Sequence, residues 1–192
     1  MGEKPYRTLR WGKDVQLWMI EGREFRSANK QADGPDKNIL GAEQKKWLFD
    51  SMRSSDAAFR IVVSPTPIVG PDRGNKNDNL ANKGFTHEGD QLRTFLASLP
   101  GVFIICGDRH WQYVSRDEKT GLTEFSVGPS SDAHAGGFSM NQRGPEHRFL
   151  RIKGGFLSVD VDRSENKPRI VFRHHDVKGA EVLLITPSAD FF

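Results

Sequence analysis

A single cysteine stands in 192 residues, and that scarcity removes two classes of explanation at once. Cys106 cannot form a disulfide within the chain, and a Cys-rich zinc site is excluded. It lies inside an apolar run and reads as a small buried hydrophobe. No apolar segment approaches the roughly 20 residues that a membrane span needs. The N-terminus, Met1 to Arg7, lacks the apolar stretch of a signal peptide, so no export signal is expected and localisation stays open. No Lys/Arg run exceeds two residues, and 28 basic against 25 acidic side chains leave a formal charge of only +3. Nucleic-acid binders gather basic charge on one face. A nucleic-acid partner is therefore not expected, although the sequence pI is about 9.1. Repeats, low-complexity segments and composition breaks are missing too, so residues 1–192 read as one domain.

What is present is the material of a core: 36% hydrophobic residues, with 13 Phe and 4 Trp. Val15 to Ile20 reads as a strand. Gly41 to Arg53 reads as a helix, with Leu40, Gln44, Trp47, Leu48, Ser51 and Met52 on or beside one face. Glu43 in its first turn and Arg53 in its last suit the helix dipole. Phe59 to Ser64 is a second strand, running into the prolines at 65, 67 and 71. The polar stretch Asp72 to His87 reads as a long loop, a type more often functional than idle. Glu88 to Leu99 repeats apolar residues at Leu92, Phe95, Leu96 and Leu99, which predicts a second helix. This alternation of strands and helices is that of an α/β fold.

Val102 to Cys106 is five consecutive apolar residues between Pro100-Gly101 and Gly107, a strand expected to be buried on both faces. Asp108 and His110 follow it, with Arg109 between. In an extended segment residues i and i+2 point the same way, so Asp108 and His110 are expected to converge and Arg109 to face away. A carboxylate and an imidazole aimed together suit a metal ion of intermediate hardness. The ends of strands in open α/β sheets are where ligands bind. The plain alternative is that Asp108 caps a turn and His110 is a hydrogen-bonded loop residue. A second Asp-x-His, Asp132-Ala133-His134, sits in a Ser/Gly-rich loop with no strand before it and is the weaker candidate.

Beyond His110 the pattern turns to strands. Trp111–Ser115 and Leu122–Val127 suggest a hairpin, and residues 128–151 look irregular. Phe156–Val161 and Ile170–Arg173 suggest another hairpin, with a last strand over Glu181–Ile185. The sheet is therefore expected to be mixed.

Several stretches together resemble the PhoD-like alkaline phosphatases, a branch of the calcineurin-like metallophosphoesterases. They are Leu40 to Leu48, Val63 to Ile68, Lys76 to Asn79, and above all Cys106-Gly-Asp-Arg-His-Trp-Gln-Tyr113. The segments 121–125, 128–132 and 153–157 continue the likeness. It covers nearly all of this chain and corresponds to the C-terminal half of the family's catalytic domain. The resemblance implies a mixed-sheet sandwich flanked by helices. It also implies hydrolysis of phosphate mono- and diesters by a centre of two divalent or trivalent metal ions, with iron and calcium suggested. The Gly-Asp-x-His pattern places Asp108 and His110 as catalytic metal ligands. Lys76, Asp78 and Asn79, in the long polar loop, could line the substrate pocket or could merely be solvated. Arg109 could reach either a phosphate or a neighbouring loop carboxylate.

The departures carry equal weight. The family's upstream Asp-x-His, Gly-Asp and Gly-Asn-His segments have no match before the central strand. Gly89-Asp90 opens a helix, Gly74-Asn75 is followed by Lys76, and Ser64-Pro65 stands where many relatives place a histidine. One Asp and one His fall short of the three or more protein ligands a metal site uses. The isolated chain is therefore expected to be inactive, with the N-terminal half missing. A phosphate ester is the expected substrate of the complete centre, and a polypeptide supplying the other half is the expected partner. The alternative is a non-catalytic, degenerate module that binds another polypeptide, because half a sandwich leaves apolar sheet surface exposed.

Overall fold

Two sheets and two helices follow from these patterns in the computed structural model, which describes residues 4–164 and 167–187. In chain order the elements are β1 Arg7–Trp11, β2 Val15–Met19, α1 Gly41–Arg53, β3 Phe59–Ser64, α2 Thr86–Ala97 and β4 Val102–Cys106. There follow β5 Gln112–Arg116, β6 Thr123–Val127, β7 His147–Arg151, β8 Gly155–Ser164, β9 Lys167–Asp176 and β10 Glu181–Ile185. The first sheet has the order β1-β2-β3-β4-β6-β5-β7, and β10-β9-β8 form the second. β2, β3, β4 and β6 run parallel, while β1, β5 and β7 join antiparallel, so the sheet is mixed as expected.

Alternation along the parallel strands divides the core in two. Val62 and Ile104 face the helices, where Trp18, Leu48, Phe85 and Leu96 are buried with them. Ile61 and Phe103 face the second sheet, where Phe125 stacks on Phe172 at 4.1 Å between ring centroids. The result is a helix layer, a mixed sheet and a smaller antiparallel sheet, the sandwich arrangement. α1 buries the polar side chain of Gln44, and that side chain is satisfied. The Gln44 amide donates to the Glu21 carbonyl at 2.9 Å and accepts from the Glu21 amide at 2.7 Å. Glu88 on α2 fixes the entry to α1 in the same way, accepting from the backbone amide of Ile39 at 2.5 Å.

Four sequence expectations need correction. α2 begins at Thr86, two residues before the predicted start, because a short 3-10 turn at Lys83–Phe85 leads directly into it. That turn also shortens the predicted 72–87 loop. The 128–151 stretch is not irregular to its end, since β7 pairs with β5 through Val114 and Phe149. β1 has no counterpart in the sequence reading. It is an edge strand exposed along its whole length, so it has no period-2 burial to betray it.

The three-stranded sheet does not cover the whole inner face of the seven-stranded one. The register pairs Leu9 with Leu17 and Trp11 with Val15, which puts Leu9 and Trp11 on that inner face. They are nevertheless 44% and 70% exposed. Beside them, along the free edge of β8, a cleft of about 510 Å³ runs between the sheets, lined by Leu17, Ile61, Val63, Ile105, Val159 and Val161.

Candidate functional site

The parallel register decides what meets at the C-terminal end of β4. Ser64 pairs with Cys106, and the Gly107 amide donates to the Ser64 carbonyl at 3.2 Å. The proline-rich segment after β3 and the Gly107–Trp111 turn therefore leave one sheet edge side by side. The turn is not the extended segment that the i, i+2 spacing predicts. Asp108 has φ +64°, the one non-glycine residue with positive φ among the described residues. Asp108 and His110 are both exposed even so, and Arg109 is buried between them. The lip of the buried strand is open to solvent.

Arg109 does not simply face away. Its guanidinium donates to Oδ1 of Asp72 at 2.6 Å and also to Oδ2 of Asp108. Of the two partners open to it from sequence, phosphate or loop carboxylate, it holds the carboxylate. The Asp72 side chain is fully buried, and its Oδ2 accepts from the Asn79 amide at 2.8 Å. Asn79 is itself buried, and its Oδ1 accepts from the Ala81 backbone. Arg109 and Asn79, expected as substrate contacts, are thus committed to protein partners and screened from solvent. Asp78 is half-buried and accepts weakly from the Asn82 amide at 3.3 Å. Lys76 is half-buried on the same loop, and its backbone amide donates to the Arg73 carbonyl.

Beneath the lip lies a second carboxylate that sequence reasoning passed over. Glu124, the second residue of β6, is fully buried. Its Oε2 accepts from the amides of Ile68 at 2.6 Å and Val69 at 3.0 Å. Its Oε1 accepts from the Gly70 amide at 2.9 Å and the Tyr113 hydroxyl at 2.7 Å. Four donors converge on one anion and clamp the segment that leads into Asp72. A charged residue inside an apolar strand (Leu122-Thr-Glu-Phe125) was the available signal.

Tyr113 also contacts Cys106, Sγ to Oη 3.3 Å. Burial first, and then the Glu124 charge, push the Cys106 thiol well up, against the opposing Tyr113 hydrogen bond. A buried, protonated thiol is no nucleophile. The Asp132-x-His134 candidate resolves into the plain reading for its carboxylate, which caps the chain at the Gly154 amide at 2.8 Å.

Among the described residues no three His, Cys, Asp or Glu side chains are grouped so that they could hold a metal ion. Asp108 and His110 supply two donor groups and do not complete a site between them. A cavity of about 800 Å³ opens at the opposite end of β4, around Val102 and the Asp117–Gly121 turn, away from this lip. No helix among the described residues is long and apolar enough to cross a membrane.

Known proteins with similar sequences and folds agree with this architecture. A family model described as PhoD-like phosphatase matches residues 1–180. Alkaline phosphatase D of Bacillus subtilis (strain 168) is 22% identical over 194 residues, which cover 81% of this chain and 32% of that protein. The solved structure of PhoD superposes with a TM-score of 0.64 at 16% identity, covering 97% of this chain and 44% of the other. The chain thus spans about a third of the curated relative it matches. The structural likeness extends to the whole sandwich arrangement described above.

Proposed function

The chain belongs to the PhoD-like phosphatase family, and from that membership we propose that it forms one side of a centre hydrolysing phosphate mono- or diesters. The observation that carries the reading is the exposed Asp108/His110 pair at the end of a buried strand. A carboxylate and an imidazole are donors of the kind that hold catalytic metal ions. Protein metal sites use three or more such donors, so the remaining ones lie outside the described residues. Lys76 and Asp78, half-buried on the loop that leaves the same sheet edge, are the residues this reading assigns to the substrate side.

The reading predicts a specific loss. Asp108→Asn keeps the size and the turn-forming amide of the original but removes the charge, so the fold should persist. Two donors hold Mn²⁺ only weakly, so the ion is added in excess. Its paramagnetic broadening of the His110 ring protons should fall at least about tenfold in Asp108→Asn, the scale on which the loss of even an outer partner of a metal ligand acts. Equal broadening in the two proteins, with matching circular dichroism, would sink the assignment.

A second reading is favoured by one observation, the bare inner face along β8. A ten-residue edge strand beside an apolar cleft is a template for an added strand. The occupant in this reading is a polypeptide segment contributing further β-structure, with apolar residues turned toward Leu17 and Val159. A hydrophobic dye should then bind the purified chain and be released when the cleft is filled by Val159→Trp. Absence of dye binding by the wild-type chain would remove the basis for a docking face.

A further inference from the structure

We propose that Arg109 is a positioning residue: Asp72, acting through it, holds the Asp108 carboxylate and its backbone in the orientation the site uses. The proposal deepens the hydrolase reading and rests on it for the role of Asp108.

Three independent features lead here. Arg109 has a side chain 1% exposed, placed between the fully buried Asp72 and the 44% exposed Asp108. A planar guanidinium fork holds two carboxylates in a fixed mutual geometry, which the rotatable point charge of a lysine ammonium does not impose. Asp108 sits at φ +64°, a conformation that non-glycine residues keep only when their surroundings fix it. The lower end of the chain of contacts is itself anchored. Asp72 is held by the Asn79 amide and by the Arg73 backbone amide at 2.7 Å, and the three residues Ile68–Gly70 just before it are clamped by Glu124. Rigidity therefore passes from the sheet through Glu124, the loop, Asp72 and Arg109 to the exposed carboxylate. With Oδ2 of Asp108 engaged from below, Oδ1 is the oxygen left to face a ligand.

Arg109→Lys and Asp72→Asn test this on the purified chain with two readouts. The first is amide exchange at Gly107 and Gly136, whose N–H groups bond to Ser64 and to the His110 carbonyl on either side of the turn. The expected result is at least tenfold faster exchange at Gly136 in both variants, with the β4 amides unchanged. The second is titration with excess Co²⁺ followed by the paramagnetic shift of the His110 ring protons, where affinity should fall about tenfold to a hundredfold in both variants. Exchange at Gly136 as slow as in the wild type overturns the positioning role. So does wild-type Co²⁺ affinity in Arg109→Lys. Wild-type His110 ring protons left unshifted by excess Co²⁺ overturn the metal-donor reading instead, while the exchange data still decide the role of Arg109.

Discussion

Glutamine at position 124 should cost about 4 kcal/mol, read as a lower urea midpoint with an unchanged slope. The size follows from counting donors. Glu124 accepts three backbone amides and one phenol, with no exposure to water. An amide side chain retains one oxygen, so two of the four donors would confront an N–H group. Each buried donor left without a partner costs about 1–3 kcal/mol. Tyr113→Phe removes one donor only and should cost about 1–2 kcal/mol. A Glu124→Gln variant within about 1 kcal/mol of the wild type, the worth of one ordinary hydrogen bond, would mean that the clamp is not formed in solution.

Acid should destabilise the protein over a defined window. His174 is buried against Phe125 and Phe149, and its Nε2 donates to the Ser126 carbonyl at 2.9 Å. A carbonyl can only accept, so Nε2 carries the proton and the neutral ring is the fitted form. Burial, the dominant cause, lowers its pKa from 6.5 to about 4, against the opposing pull of the Ser126 carbonyl. The unfolded chain therefore binds a proton on this ring at a higher pH than the folded chain does. Stability from this group is complete above pH 6.5, declines as pH falls from 6.5 toward 4, and declines no further below that. The gap amounts to about 3 kcal/mol. His147, whose pKa burial also lowers, adds a loss of the same sign. His174→Gln, which keeps a donor near Ser126 but does not titrate, should flatten the decline measured by denaturation at pH 7, 6, 5 and 4. Parallel pH profiles for the two proteins would remove His174 from the explanation.

Where a residue's neighbours are local, the chain could be read directly. α1 occupies Gly41–Arg53, and β3, β4 and β10 run over the ranges their apolar patterns mark. Each of those patterns expresses burial that the element's own period reveals. β1 carries no such pattern, because its Leu9 and Trp11 lie on an uncovered part of the inner face. At the site, the exposed positions of Asp108 and His110 could be anticipated from the strand before them. The roles of Asp72 and Glu124 could not. Arg109 meets Asp72 across 37 positions of chain, and Glu124 meets Ile68 across 56. Nothing in the local sequence announces a contact of that separation, so the local pattern alone leaves Arg109 with two possible partners.

The loop after β3 changes character along its length, and that sets a rule for tolerated variation. From Ile68 to Asp72 its backbone and carboxylate are fastened to Glu124 and Arg109, whereas Gly74, Asn75 and Asn77 lie open to solvent. Lengthening the chain between Gly74 and Asn77 would reshape the mouth above the strand ends while the sheet below keeps its register. Dropping one residue between Ile68 and Asp72 would instead pull a fastening out of place. Diversity in what such a mouth admits is therefore open to natural or laboratory selection in the outer half of the loop, with the inner half held constant.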